Sequence, residues 1–436
     1  MFKKLPITFT ALAITLFSGP LFAAEASVDT GNISWILTST ALVLFMTIPG
    51  LSLFYGGLVR SKNVLSILMQ CFAITCVVSV LWLVCVYSLC FGDGGSLNGF
   101  IGGFDKAFLG DLLNNGISGS IHETTFSMFQ LTFAIITPAL IVGAFAERMK
   151  FSAMLIFSCI WLVVVYAPVC HWVWGGGWLQ EMGVLDFAGG IVVHITAGAA
   201  ALVAALVIGN RNGFPKTPMP PHNLTMTITG AGMLWVGWFG FNGGSALAAD
   251  STASMAILVT HMSAAAGAMM WVALEWIKFG KPSALGAVTG MVAGLGTITP
   301  ASGFVGPAGG LVIGLVAGFI CFNCTIFIKQ KLKIDDSLDV SPVHGVGGII
   351  GTIMAGIFAS AGLGVFRGVG YAEGVDMASQ VGVQALGVVA TIAYTMIVTF
   401  IILKITGALT KGLRVCEEVE TQGLDTAEHE ETGYNM

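Results

Sequence analysis

What this sequence lacks most is charge: 9% of its 436 residues are Asp, Glu, Lys or Arg, whereas 56% are hydrophobic. A water-soluble chain of this length needs far more charge to clothe its surface, so a large soluble enzyme with an oversized core is a poor reading. The net charge of -5 is small and spread among loops, giving nucleic acid nothing to bind. No GxxxxGK[ST] loop is present, which argues against ATP-driven pumping by this chain. No His, Cys or carboxylate cluster has metal-ligand spacing, no Ser/His/Asp nucleophile constellation stands out, and no cofactor is implied. Cysteine is present nine times, yet nearly always inside apolar runs and not in the loops that a disulfide framework requires. Cys321 and Cys324 form a CxxC in mid-helix (GFICFNCTIFI); they read as lipid- or core-facing thiols, because a redox motif needs a polar, exposed setting.

What is there instead is a series of apolar stretches long enough to cross about 30 Å of hydrocarbon. They fall at about residues 33–56, 64–91, 124–146, 151–173, 186–208, 223–247, 253–277, 283–299, 307–330, 342–362 and 381–409, eleven in all. The first 24 residues (MFKKLPITFTALAITLFSGPLFAA) carry Lys3 and Lys4, a short apolar stretch and small residues near Ala23 and Ala24, the pattern of a cleaved signal peptide. Pro6, Gly19 and Pro20 break that stretch too often for a first transmembrane helix. With the mature N-terminus outside and the spans alternating, fourteen Lys and Arg fall on the inner face, Arg60, Arg148, Arg211 and Lys329 among them, and only Lys106 and Arg367 on the outer. This sorting predicts a C-terminus inside.

Eleven spans divide as five, five and one. Span 5 carries Asp186 and His194 (DFAGGIVVH), and span 10 is entered from Asp339 and carries His344 (DVSPVH). Because five is odd, two such halves are inverted relative to each other, which puts a site near the bilayer midplane. Small residues every fourth position (Gly286, Gly290, Gly294 on span 8; Gly310, Gly314, Gly318 on span 9) predict close helix contacts.

An ionisable residue at membrane depth is costly, and by default a functional candidate. A lone membrane histidine serves equally well as a hydrogen bond between helices, but His194 and His344 in corresponding halves favour a pore lining. His171 and His261, near the outer ends of spans 4 and 7, need only interface or packing roles. Asp186 opens span 5, where an acid caps free N–H groups and favours the helix dipole; it also suits a cation-recruiting vestibule. Phe129 and Phe133 share one face of span 3, Trp172, Trp174 and Trp178 end span 4, and Trp238, Phe239 and Phe241 precede Ser245. A single Trp is most simply an interfacial anchor, but an aromatic cage beside a hydroxyl holds a small cation without a formal counter-charge.

The segments GGLVRSKN (56–63), AFAERMKFSA (144–153), WGGGWL (174–179), DFAGGIVVHI (186–195), GWFGFNGGSA (237–246), KPSALGAVTGMVAGL (281–295), TPASGFVGP (299–307), DDSLDVSPVHGVGG (335–348) and GLRVCEEVETQGLD (412–425) together resemble the Amt/Mep/Rh ammonium transporters, specifically the bacterial Amt proteins. The resemblance runs from about residue 33 to the end. It implies an all-α polytopic membrane protein of eleven transmembrane helices, an inverted five-helix repeat plus a long eleventh helix, assembled as a homotrimer in the bacterial inner membrane. Carried over residue by residue, it implies an external ammonium site of Trp174, Phe133 and Ser245 with Asp186 behind it. It likewise implies a stacked gate of Phe133 and Phe241, twin pore histidines His194 and His344, and pore-lining support from Phe129, Trp238 and Thr299. Pro138 and Ser337 depart mildly from the commonest pattern and touch no site position. Residues 25–410 would be the transporter domain. The acidic end, 411–436, would be a cytoplasmic regulatory tail, read either as solvated chain or as a docking segment for a PII-type nitrogen-signalling protein.

Ammonium and potassium ions are similar in size, so a simple cation hole does not separate them; a dry pore does, because ammonium alone can shed a proton and cross as ammonia. The imidazoles of His194 and His344 would replace lost water hydrogen bonds. Two rival readings are an ammonium sensor, expected with a fused signalling domain that these 436 residues do not contain, and an Rh-like gas channel, expected to lack the Trp174 cage.

Overall fold

The computed structural model describes residues 28–114 and 116–434; the signal-peptide reading of residues 1–24 lies outside them. Within it eleven helices are long and apolar enough to cross a membrane: Thr30–Leu58, Ser61–Phe91, Glu123–Phe145, Phe151–Glu181, Gly190–Ile208, Leu224–Gly244, Ser251–Phe279, Ala284–Ala301, Pro307–Leu332, Ser341–Phe358 and Met377–Leu409. They coincide with the eleven expected spans and are numbered 1–11 accordingly. The face at which the described chain begins is here the N-side, and the face carrying the last residues the C-side.

Burial follows from composition and place. Span 3 is enclosed almost entirely (94%), whereas spans 2, 7, 9 and 11 keep much of their apolar surface outward, as helices facing lipid do. Span 1 bends at Pro49, where Ile48 leaves the helical region, because proline supplies no N–H and crowds the preceding turn. The small-residue stripes on spans 8 and 9 close on span 7: a β-carbon at Gly290 or Gly318 would lie 2.6 Å from the Gly267 carbonyl oxygen. The same close approach occurs where spans 5 and 10 cross, Gly198 lying against the backbone of Gly345. A side chain at either glycine would hold the two histidine-bearing helices apart.

Each of those helices starts on a buried acid. The Asp186 carboxylate accepts from the amides of Gly189, Gly190, Ile191 and Val192 at 2.5–3.1 Å. On span 10 the matching residue is Asp336, not the Asp339 from which the sequence entered that span. Asp336 accepts from Val340 N, Ser341 N and Ser341 Oγ at 2.6–3.1 Å. Both acids stand eight residues before their histidine. The repeat is therefore visible in the chemistry of the two helix starts.

On the C-side a buried ion network joins four loops. Arg211 grips Asp335 with two nitrogens (2.8 and 2.9 Å) and reaches Glu147 at 3.0 Å, and Arg60 meets the same Glu147 at 2.8 Å. Burial alone would raise the Glu147 and Asp335 carboxyls, but the facing guanidinium groups hold both below the usual range. Arg148, fully buried among the carbonyls of Ala144, Ala146, Gly209 and Asp335, is lowered by burial to about 10.

The tail packs on the same side as two short helices, Glu417–Gln422 and Leu424–His429. Glu420 accepts from Arg414 and from Asn212 N. Asp425 caps the start of span 2 through Leu65 N (3.1 Å) and Ser66 N (2.8 Å), and Tyr434 donates to His222. Three of the tail's acids, Glu420, Asp425 and Glu428, accept backbone N–H groups of the transmembrane part.

Candidate transport pore

Span 3 brings Phe129 and Phe133 to the centre of the N-side half, and the end of span 4 brings Trp174. Trp174 is held in place because its indole N–H donates to the Asp186 carbonyl oxygen at 2.9 Å. A cavity of about 170 Å³ opens there, lined by Phe133, Trp174 and Ser245 together with Phe91, Phe126, Gln130, Phe187 and Leu247. Phe133 meets Trp174 edge-on at 5.8 Å. Phe129 does not reach the cavity; it lies behind Phe133 at 5.0 Å and supports it. The Ser245 hydroxyl donates to Phe241 O at 2.8 Å, which leaves its lone pairs free to accept.

Phe133, in the wall of this cavity, packs on Phe241, which lines the next one, with ring centroids 4.4 Å apart and a 44° tilt. Beyond them lies a second space of about 10 Å³, room for about one water-sized molecule. Its lining is apolar apart from His194, His344 and the Trp238 indole: Met46, Leu51, Phe54, Ile136, Leu140, Val193, Leu234, Phe241 and Val292. The two imidazoles are stacked 5.2 Å apart at 21°, and their Nδ1 atoms share one hydrogen bond of 3.2 Å. One ring must therefore donate and the other accept. His194 Nε2 is enclosed with no partner, so it is available to a guest. Trp238 stacks on His194 at 5.7 Å and donates to Thr299 Oγ1 at 2.9 Å. Thr299 thus stands behind Trp238 and fixes its ring. His344 also lines a third cavity, of about 150 Å³ and set toward the C-side, which includes Phe54, Tyr55, Thr289, Lys329 and Asp339.

Of the ten site residues named from sequence, seven line the first two of these cavities and Asp186, Phe129 and Thr299 stand behind them. The two control histidines line neither. His171 is buried with both ring nitrogens on the carbonyls of Cys90 and Asn98; His261 is exposed beside Trp235. Sequence reasoning passed over Gln130, whose enclosed Oε1 lacks a partner beside the N-side cavity. A carboxamide at membrane depth three residues before Phe133 was the available signal.

Comparison with known proteins agrees with this architecture. The model of the Ammonium Transporter Family matches residues 34–434. The chain is 45% identical to an ammonium transporter of Aquifex aeolicus over 433 residues, 98% of this chain and 99% of that protein. It is also 45% identical to ammonium transporter Amt1 of Archaeoglobus fulgidus over 404 residues, 93% and 99% of the two chains. Among solved structures it is similar to a sensor Amt protein (TM-score 0.84, 31% identity, 92% of this chain and 98% of that one). It is similar too to Mep2 of Saccharomyces cerevisiae (TM-score 0.81, 36% identity, 90% and 92%). The Aquifex and Archaeoglobus relatives are named as ammonium transporters, and with the family model matched over nearly its whole length the chain belongs to the ammonium transporter family.

Proposed function

We propose that the protein carries ammonium across the bacterial inner membrane by binding it as the cation on the N-side, stripping a proton at the Phe133/Phe241 gate and conducting ammonia past His194 and His344. The observation that carries this reading is the change in surroundings along one path. A roomy aromatic cavity with a hydroxyl is followed by a lumen that holds about one water-sized molecule and exposes no carboxylate. Cation–π attraction and the Ser245 oxygen suit ammonium in the first space. In the second an ion would be desolvated without a counter-charge, whereas neutral ammonia needs only the hydrogen bonds that the imidazoles offer. The Lys and Arg distribution supports an external N-side and a cytoplasmic C-side. The family relationship supports a homotrimer embedded in lipid and a PII-type protein acting at the cytoplasmic face, with the tail as its contact. Cleavage of a leader over residues 1–24 belongs to the same reading.

Similarity to a sensor Amt protein keeps a sensing role in view, and transport assays separate the two. Wild type reconstituted in proteoliposomes is expected to take up labelled methylammonium and exclude potassium. His194→Ala and His344→Ala are expected to lose rate or selectivity, and Trp174→Leu to require higher external substrate. Equal rate and selectivity in wild type and both histidine variants would sink the pore assignment, and free passage of potassium would sink proton stripping.

A further inference from the structure

The C-side cavity contains an acid that neither the fold nor the pore has yet accounted for. Asp186 and Asp336 are spent on helix starts, and Asp335 and Glu147 on arginines. Asp339 has a single side-chain partner, Lys329 at 2.8 Å through Oδ2. Its other oxygen, Oδ1, is enclosed with no hydrogen-bond partner, the one carboxylate oxygen so left among the described residues. Its backbone sits at φ +62°, a conformation that a glycine would adopt at less cost. Asp339 shares the cavity with His344, and His344 is also part of the lumen wall. The path from the twin histidines thus opens into a chamber with one under-satisfied carboxyl. An enclosed carboxylate oxygen without a donor is stabilised by taking a proton.

We propose that Asp339 is the residue that returns a proton to ammonia as it leaves the pore. This rests on the pore reading above. The proton shed by external ammonium passes through His194 and His344 to the Asp339 carboxylate, making the acid. Ammonia arriving in the cavity then takes it: an N–H bond forms as the O–H bond breaks, giving ammonium and a carboxylate that Lys329 holds until the next proton comes. Nothing else is consumed, and one ammonium enters for each one bound outside. The groups around the carboxyl are Lys329, Asp336, Arg211, Tyr55 and, across the cavity, His344. Burial pushes the Asp339 carboxyl up from its ordinary range against the pull of Lys329, which is the direction a proton carrier needs.

The test uses the full chain in proteoliposomes, with transport current and labelled methylammonium uptake measured side by side. Wild type should carry current, and in Asp339→Asn the ratio of current to uptake should fall about a hundredfold, the low end of what a positioned general acid contributes. Asp339→Glu should restore most of it. Lys329→Gln keeps the acid but removes its cation, so the pH of half-maximal current should move upward. An unchanged ratio in Asp339→Asn overturns the proposal. If that variant does not assemble, an unmoved pH midpoint in Lys329→Gln overturns it instead. Wild-type uptake without current removes this inference alone; absence of wild-type uptake removes the pore reading and this inference with it.

Discussion

The crossing of spans 5 and 10 at Gly198 gives a sharp prediction. In Gly198→Ala the new methyl would lie well inside van der Waals contact of Gly345 N and Cα, and 3.2 Å from the carbonyl carbon of His344. All three are backbone atoms, so no rotamer change relieves the clash. Restoring an ordinary contact of 3.4–4 Å requires the helices to part by about 1 Å, an overpacking that costs about 1–3 kcal/mol. The imidazole pair stands at 3.2 Å, near the end of hydrogen-bond range, so the separation also removes a buried hydrogen bond, a further ~1 kcal/mol. Misplacing a positioned group by about 1 Å typically costs about a hundredfold in rate, and uptake should fall by that order. The assay pairs thermal unfolding in detergent with methylammonium uptake per folded protein. Gly232→Ala serves as the control, because a β-carbon there meets nothing within 4 Å. A Gly198→Ala protein that melts and transports like wild type would refute the argument that this contact sets the spacing of the histidines.

Three further outcomes concern the C-side. Arg211→Met strands Glu147 and Asp335 without their main cation, and thermal unfolding should show a loss of about 3–5 kcal/mol. Both carboxyls are held below their ordinary range in the fold, so their contribution is complete above the unfolded carboxylate value, about pH 4, and drains away as pH falls through the folded value. The wild-type melting temperature should therefore drop below about pH 4, and Arg211→Met should flatten that drop. Asp425→Asn leaves the Leu65 and Ser66 amides with at most one weaker acceptor, and limited proteolysis should cut after the last span faster than in wild type; an unchanged cutting rate would show that this cap does not hold the tail.

The eleven spans were legible because a membrane helix must satisfy its own backbone and face lipid, which hydropathy records directly. The path was legible mainly through the resemblance. Residues alone left either histidine by itself open between packing and pore, favoured a pore lining only for the two together, and gave Asp186 as a cap or a vestibule acid. What sequence could not give was pairing across distance. Arg148 and Arg211 read as loop charges that fix orientation, and nothing in their neighbours announces that Arg148 is buried among backbone carbonyls and Arg211 on Asp335 and Glu147. The tail stayed open between solvated chain and docking segment, since acidic residues suit water but equally suit the free amides at the start of span 2. Asp339 was taken for the entry to span 10, although the spacing of eight that links Asp186 to His194 already pointed to Asp336.

The smallness of the lumen has a consequence for the cell's electrical balance. A membrane potential of 100 mV drives each elementary charge with about 2.3 kcal/mol, and an open cation pathway would discharge it. A chamber of about 10 Å³ walled by Met46, Leu51, Ile136, Leu140, Val193, Leu234 and Val292 asks an alkali ion to shed its water with no carboxylate in reach, at a cost of several kcal/mol or more, and each 1.4 kcal/mol of barrier slows passage about tenfold. On the proposed reading, such a lumen would pass a neutral molecule while opposing the entry of a bare alkali ion.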